Sequence, residues 1–186
     1  MHEVINGMKK TKGKQRFMAL KMYMEKAYDR MEWSFLLQVN KCLGFCDQWI
    51  SWIKECISTT SFSMLVNGTP QGFFFPSRGL RQGDPLSPFL FILGDEVLSK
   101  VLHRVEDEGK FRGFQLVSTC LRVSHLLFAN DLIIFSRANE EDAKEIQVCI
   151  EQYQLCSGQL VNWKEICYRV RSESSERHPK ILEPSN

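Results

Sequence analysis

The stretch LLFANDLIIF, residues 126–135, decides the fold of this chain. Two apolar runs in it flank the polar residues Asn130 and Asp131. Apolar runs separated by a short polar break are typical of an antiparallel hairpin, because the break supplies the turn and the runs supply the strands. The sequence therefore predicts a hairpin that carries Asn130 and Asp131 at its tip.

A second strand is predicted upstream, where the side chains alternate in kind along residues 17–24. One face of this strand holds Met18, Leu20, Met22 and Met24, and the other face holds Ala19, Lys21 and Tyr23. A period of two residues is what a strand with one buried face requires. Tyr23 is therefore expected to point away from the methionine layer.

Four segments carry the apolar spacing or the end signals of helices. They begin at Asp29, Asp47, Ser87 and Asn139, and glycines suited to helix ends follow at Gly44, Gly109 and Gly158. The helix from Ser87 is expected to be the longest and to bury Leu90, Leu93, Val97, Val101 and Val105. The helix from Asn139 is expected to bury Ala143, Ile146, Ile150 and Tyr153.

A further hairpin is predicted from Ser61–Val66 to Gly72–Phe75, because Asn67-Gly68 between them suits a tight turn. A last strand is expected at residues 160–163, and residues 171–186 are expected to form a disordered tail because they lack periodicity. Together these elements predict an α+β fold with a small antiparallel sheet and two hairpins packed on helices.

The composition is that of an ordinary globular protein, with 44% hydrophobic and 25% charged residues. Twenty-four Lys and Arg against 22 Asp and Glu leave a net charge of +2, which neither requires nor excludes a nucleic-acid partner. The seven cysteines include no C-x-x-C pair and are expected to be reduced core thiols. The sequence has no signal-peptide pattern and no apolar run long enough for a bilayer, so an intracellular protein, nuclear or cytoplasmic and without membrane contact, is expected.

Four segments together identify the chain as similar to a known family. They are MALKMYMEKAYDR at 18–30, GLRQGDPLSP at 79–88, HLLFAND at 125–131 and SGQLVNWK at 157–164. In order and spacing they resemble motifs A, B, C and D of the reverse transcriptases of plant-type LINE, or non-LTR, retrotransposons. The resemblance extends over roughly residues 3–170, and the conjunction of four motifs makes it specific.

The resemblance implies the palm of a right-hand polymerase, with fingers and thumb largely missing. Residues 1–170 would form this partial reverse transcriptase domain. The implied activity is RNA-directed DNA synthesis from dNTPs, with an RNA template, a DNA primer and two Mg²⁺ ions as cofactors. Carboxylates hold such ions because hard cations take oxygen ligands.

Position by position, the resemblance also implies that the catalytic site is degenerate. The family's three metal-binding aspartates correspond to Tyr23, Asn130 and Asp131, and only Asp131 is retained. One unit-charge contact at 4 Å contributes about 4 kcal/mol at an effective dielectric near 20, so two lost carboxylates predict an inactive polymerase with doubtful Mg²⁺ binding. Glu25 is the available replacement, but it lies two residues from Tyr23, about 6.6 Å away along a strand, and a solvent-facing glutamate is the better interpretation.

Other matched positions have binding roles in the family. Tyr28 corresponds to the aromatic residue under the incoming nucleotide sugar, and Gln82 with Gly83 corresponds to the loop along the nascent base pair. Arg81 and Lys164 are candidate phosphate contacts, although a solvated surface charge explains Lys164 equally well. The alternative function is a noncatalytic nucleic-acid-binding module, with the basic residues between 9 and 16 as additional contacts.

Overall fold

The computed structural model of the chain describes residues 16–115, 117, 119–162 and the backbone of 167–168. Lys164, the basic residues 9–14 and the predicted tail therefore lie outside the described residues. In chain order the elements are β1 (Phe17–Tyr23), α1 (Ala27–Arg30), α2 (Trp33–Cys42), α3 (Asp47–Ser58), β2 (Phe62–Val66), β3 (Thr69–Phe74), α4 (Ser87–Asp107), β4 (His125–Phe128), β5 (Asp131–Arg137), α5 (Glu140–Ser157) and β6 (Cys167–Tyr168).

Contacts divide these elements between two compact units. The sheet unit comprises the described residues up to Glu25, Leu98–Gln154, and the described residues from Leu160 onward. The helix unit comprises Lys26–Val97 and Leu155–Gln159. Helix α4 thus contributes its first part to the helix unit and its remainder to the sheet unit.

An antiparallel four-stranded sheet forms the centre of the sheet unit, in the order β4-β5-β1-β6. The predicted hairpin is present as β4 and β5, with Ala129 and Asn130 as its two-residue turn. Strand β5 pairs with all seven residues of β1, and this register places Tyr23 opposite Asp131. Of the strand predicted at residues 160–163, the described residues 160–162 form one bridge, between Val161 and Met24.

The two faces of the sheet differ as the alternation in β1 predicts. Met18, Leu20 and Met22 are fully buried on one face. On the opposite face, Ala19 and Phe135 pack in a small core with Phe114. Directly opposed residues of antiparallel strands share a face, so the same face continues to Lys21, Tyr23 and Asp131. The sheet therefore carries its polar residues at one end of an otherwise apolar surface.

Helix α5 matches its predicted boundaries and its buried face. Ala143, Ile146, Ile150 and Tyr153 are all buried, and Gly158 follows the helix with a φ of 75°. At its start, Asn139 Oδ1 accepts a hydrogen bond from the Asp142 N–H, 2.7 Å away. This contact is a side-chain N-cap of the kind that stabilises helix starts.

The buried face of α4 was predicted incorrectly. Leu90 and Val105 are buried as expected, but Leu98 and Leu102 are fully buried while Val97 and Val101 are only half-buried. Apolar residues occur on several sides of this helix, so spacing alone does not select the buried side. The larger leucines take the fully buried positions, since they remove more apolar area from water.

Asp142, in the first turn of α5, is a fully buried carboxylate that holds the end of β5. The guanidinium of Arg137 forms an ion pair with it at 2.7 Å. The backbone N–H groups of Arg112 and Arg137 donate to the same side chain, at 3.1 and 3.2 Å. These donors compensate the cost of removing the charge from water, and they connect three chain segments.

In the helix unit, the helix predicted from Asp29 is interrupted. Helix α1 ends at Arg30, Met31 has an extended ψ of 117°, and α2 begins only at Trp33. The Met31 carbonyl accepts a hydrogen bond from the Gly79 N–H at 2.8 Å, instead of continuing a helical ladder. A tertiary contact thus overrides the local helical pattern.

Hairpin β2–β3 forms around the predicted turn, with φ values of 51° at Asn67 and 80° at Gly68. Its apolar side chains, however, are exposed.

The prediction that the cysteines are core thiols is wrong for most of those described. All six described ones are free, and Cys149 is buried, but Cys42, Cys46, Cys56, Cys120 and Cys156 are exposed. No helix among the described residues has the length and apolar character needed to cross a bilayer.

Candidate functional site

Lys21, Tyr23 and Asp131 form a polar cluster at the end of the sheet. The register of β1 and β5 brings Tyr23 opposite Asp131, and Lys21 lies two residues earlier on the same face. Lys21 Nζ is 3.3 Å from Asp131 Oδ2 and 4.5 Å from the centre of the Tyr23 ring. The retained aspartate therefore already has a cationic partner from within the chain.

The electrostatics of this cluster favour a charged Lys21. The pKa of Lys21 is raised, chiefly by its hydrogen bond to Tyr23; desolvation, the next largest effect, opposes the rise, and the hydrogen bond and charge of Asp131 add smaller increases. The side chains of Lys21 and Asp131 are 31% and 32% exposed, so water screens the pair. The pair thus neutralises the carboxylate locally without being a large source of stability.

Asn130 lies at the exposed tip of hairpin β4–β5. Its backbone carbonyl accepts a hydrogen bond from the Met24 N–H at 2.9 Å, which fixes the tip against the end of β1. Ala129, its neighbour in the turn, has a φ of 52°, a conformation that costs energy for a residue with a side chain. The tip is thus held in place by a backbone hydrogen bond, and the side chain that it carries at position 130 is a neutral amide.

Glu25 is the replacement carboxylate that the sequence offered. It follows the end of β1, its side chain is exposed, and its N–H donates to the Leu160 carbonyl at 2.7 Å. Within the ranges that the structure describes, no three His, Cys, Asp or Glu side chains are grouped to hold a metal ion. Since Mg²⁺ requires several oxygen ligands, the residues present do not fit the two-metal site implied by the sequence motifs.

Tyr28, on α1 in the helix unit, stacks on Phe91 of α4. The two ring centres are 5.0 Å apart and the planes differ by 8°. The Tyr28 carbonyl accepts a hydrogen bond from the Leu80 N–H at 2.7 Å. Tyr28 is therefore half-buried and fixed by packing, with part of its surface left free.

Gly79 connects the first two motifs more directly than the sequence predicts. A Cβ at this position would lie 2.8 Å from the Asp29 carbonyl oxygen, and the φ of 90° is unfavourable for other residues. The Trp33 indole N–H donates to the Gly79 carbonyl at 2.7 Å. Only glycine fits between these contacts, so Gly79 is a structural requirement of the site.

The loop after Gly79 presents the remaining predicted contacts. Arg81, Gln82 and Gly83 are all exposed, and Gly83 has a φ of 85° with open space around it. Asp84 Oδ1 accepts a hydrogen bond from the Leu86 N–H at 2.8 Å, which closes a turn before α4.

A cavity of about 260 Å³ lies within the helix unit beside this loop. Arg81 lines it together with Asp29, Cys56, Arg78 and other residues, whereas Gln82 and Gly83 do not. Of the described residues predicted to bind nucleotide or template, Arg81 lines this cavity.

Two observations at the site differ from what the sequence suggests. Lys21 was not predicted as a site residue, although its position two residues before Tyr23 on the same strand face was a usable signal. Phe128, the apolar last residue of β4, is 81% exposed at the edge of the described sheet.

Comparison with known proteins places these features in context. A profile of the family described as "Reverse transcriptase (RNA-dependent DNA polymerase)" matches residues 1–168. An uncharacterized mitochondrial protein of Arabidopsis thaliana is 54% identical over 67 residues, which are 36% of this chain and 55% of that protein. A retrovirus-related Pol polyprotein from a type-1 retrotransposable element R2 of Popillia japonica is 28% identical over 127 residues.

That match covers 68% of this chain but only 20% of the polyprotein, so the chain spans a limited part of its relatives. Among solved structures, telomerase from Candida tropicalis in complex with a TWJ fragment of telomeric RNA has a TM-score of 0.67 at 16% identity, covering 94% of this chain and 29% of that chain. The likeness confirms the α+β palm fold, and the retrotransposon relatives confirm the resemblance derived from the motifs.

Proposed function

Because this chain belongs to the reverse transcriptase family, we propose that it is a polymerase palm that has lost the nucleotidyl-transfer reaction. Within it we assign residues 1–170 to the palm domain. The observation that best supports this proposal is the ion pair between Lys21 and Asp131, with Tyr23 opposite the same carboxylate.

In this proposal the chain's own side chains occupy the place of the metal ions. The ammonium of Lys21 neutralises Asp131, which removes the electrostatic attraction that a divalent cation needs. Tyr23 contributes a phenol and Asn130 an amide, and neither carries the negative charge that balances two Mg²⁺ ions. Since each 1.4 kcal/mol of lost transition-state stabilisation is about a factor of ten in rate, the loss of two carboxylates takes the reaction below detection.

Primer extension with Mg²⁺ or Mn²⁺ tests this proposal. We expect no dNTP incorporation by the unaltered chain on an RNA template and DNA primer, and no change on Asp131→Ala. Incorporation by the unaltered chain that disappears in Asp131→Ala would overturn the proposal, because Asp131 would then be needed for catalysis.

Restoring the carboxylates tests the assignment of the positions. The double variant Tyr23→Asp with Asn130→Asp should gain Mn²⁺ affinity, measured by calorimetry or electron paramagnetic resonance. Adding Lys21→Ala should increase that affinity further, since it removes the competing cation. Absence of any gain in a variant that remains folded by circular dichroism would show that the positions are misassigned.

Nucleic-acid binding without catalysis is the second candidate, and the exposed Arg81-Gln82-Gly83 loop favours it. The fold is also that of a telomerase solved in complex with RNA. An RNA template paired with a DNA primer is the ligand we assign. Phosphate contacts depend on salt because binding releases counterions, so a single contact contributes about one unit to the salt slope.

A gel-shift titration at several salt concentrations tests this binding. Arg81→Ala should weaken the complex with primer and template and lower the slope by about one. Lys144→Ala is the matched control, because this exposed cation lies on α5 in the other unit. Equal weakening by both variants would show a general charge effect, and no shift at low salt would exclude the candidate.

A further inference from the structure

Hairpin β2–β3 lies within a segment that has no charged residue. Residues 61–77 contain no Asp, Glu, Lys or Arg, although a quarter of the whole chain is charged. The hairpin forms a separate two-stranded sheet, and isolated two-stranded sheets are marginally stable in water. An uncharged, exposed hairpin of this kind indicates a surface that is covered in an assembly.

The two faces of the hairpin have different surroundings. Phe62 and Phe74 face each other on one side, with ring centres 5.6 Å apart, and both line the cavity of the helix unit. We call this the inner face, and the alternation along β2 places Met64 and Val66 on it. At its root the inner face is therefore turned towards its own unit.

The outer face holds Leu65 and Phe73, since Phe73 pairs with Ser63 and Ser63 lies two residues from Leu65. Phe75 continues the same alternation beyond the end of β3. These three side chains are 72%, 75% and 71% exposed, compared with 65% and 51% for Met64 and Val66. The outer face is thus the more exposed apolar surface, and it has no partner among the described residues.

We propose that the outer face packs against the same face of a second copy of this chain. Sheets pack face to face with interdigitating side chains, and a two-fold axis lets one apolar face match itself. The segment offers no charge for a nucleic acid or a charged protein to pair with.

The area limits the strength of this dimer. A large apolar side chain has an area of about 200 Å², so the exposed parts of Leu65, Phe73 and Phe75 together provide roughly 450 Å² of apolar surface per copy. Two copies then bury about 900 Å², below the roughly 1,000 Å² that stable specific interfaces exceed. A weak, transient dimer is therefore expected. This proposal does not depend on whether the palm binds metal or nucleic acid.

Sedimentation velocity of the full chain from about 1 to 100 μM tests the proposal. The weight-average mass should rise towards twice that of one chain with increasing concentration. Leu65→Lys and Phe73→Lys should each raise the dissociation constant at least about tenfold, since each places a charge in the apolar contact. The matched controls Met64→Lys and Val66→Lys change the inner face of the same strand, and they should still dimerise.

Three results would overturn the proposal. The first is a chain that stays monomeric at the highest concentration, which would assign the face to a different partner. The second is an equal loss of association in the inner-face and outer-face variants. The third is growth beyond a dimer; the second and third results would each indicate nonspecific association. Since all four positions are exposed, urea unfolding should show that the variants keep the stability of the unaltered chain.

Discussion

The two hairpins have similar sequences but opposite environments. Both consist of apolar runs around a two-residue turn that includes a positive φ, at Asn67-Gly68 in one and at Ala129-Asn130 in the other. In β5, every residue from Leu132 to Ser136 is buried, whereas β2 and β3 are exposed over nearly their whole length.

The difference lies in the neighbouring strand. Strand β5 pairs with β4 on one side and with all seven residues of β1 on the other, and Phe114 covers part of its surface. Within the described part of the chain, strands β2 and β3 pair only with each other. A turn and two apolar runs thus specify a hairpin, but a third strand decides whether it becomes core.

The largest expected effect is the contrast between two phenylalanines, one in each hairpin. Phe135 is fully buried, so Phe135→Ala should lower the free energy of unfolding by about 3–5 kcal/mol. Phe73 is 75% exposed, and Phe73→Ala should change it by less than about 0.5 kcal/mol in dilute protein. Urea unfolding followed by circular dichroism measures both, and equal losses would refute the contrast.

The anchor of β5 should give the second-largest effect. Asp142→Asn leaves the guanidinium of Arg137 without its charge partner and puts an amide against two backbone N–H donors. We expect a loss of about 3 kcal/mol in unfolding free energy. The exposed Asp107 gives a matched control, Asp107→Asn, which should have little effect. A control that costs as much as Asp142→Asn would contradict the anchoring role.

Acidification should destabilise the hairpin that includes β4. Burial, followed by the proximity of His103, lowers the pKa of His125 to about 4. In the unfolded chain this histidine titrates near its ordinary value of about 6.5, so between about pH 6.5 and 4 the unfolded state takes up a proton that the folded state excludes. Stability therefore falls as the pH falls through this window, by at most about 3 kcal/mol and less after solvent screening.

The pH dependence of urea midpoints measures this loss. Ser99 Oγ and Ser124 Oγ lie 2.8 and 3.1 Å from the two ring nitrogens of His125, so His125→Gln retains hydrogen-bonding groups but does not titrate. The variant should show a flatter profile between pH 6.5 and 4. A profile identical to that of the unaltered chain would assign the loss to other groups.

The smallest effect concerns the two turns. Ala129 has a φ of 52°, so Ala129→Gly should stabilise the chain by about 0.5–1 kcal/mol through relief of backbone strain. Asparagine tolerates the left-handed region, so Asn67→Gly should change stability by only a few tenths of a kcal/mol. Thermal unfolding resolves the two, and destabilisation by Ala129→Gly would show that the turn is not strained.

Sequence reasoning succeeded where the determinants are local. Strand β1 and the turn at Asn67-Gly68 follow from short-range patterns. The buried side of α4 did not follow, because its apolar residues are too numerous to define one stripe. The exposure of Phe128 also depends on a non-local fact, namely that β4 has a neighbour on one side only.

The site shows the same limit. The motifs identify Tyr23, Asn130 and Asp131, but Lys21 becomes part of the cluster only through the register of β1 with β5. More than 100 residues separate Lys21 from Asp131 in the sequence. No local pattern contains that pairing. Only the strand register of the folded chain shows that Lys21 lies beside Asp131.

Gly79 has a consequence for how such chains are recognised. It is required by the close approach of the Asp29 carbonyl, which is independent of any reaction. A mutation there would disturb the backbone, whereas Asn130 is exposed at a hairpin tip. A signature composed of both kinds of residue therefore tests the scaffold and the chemistry separately. Matching such a signature establishes ancestry, and only the chemical positions can establish enzymatic competence.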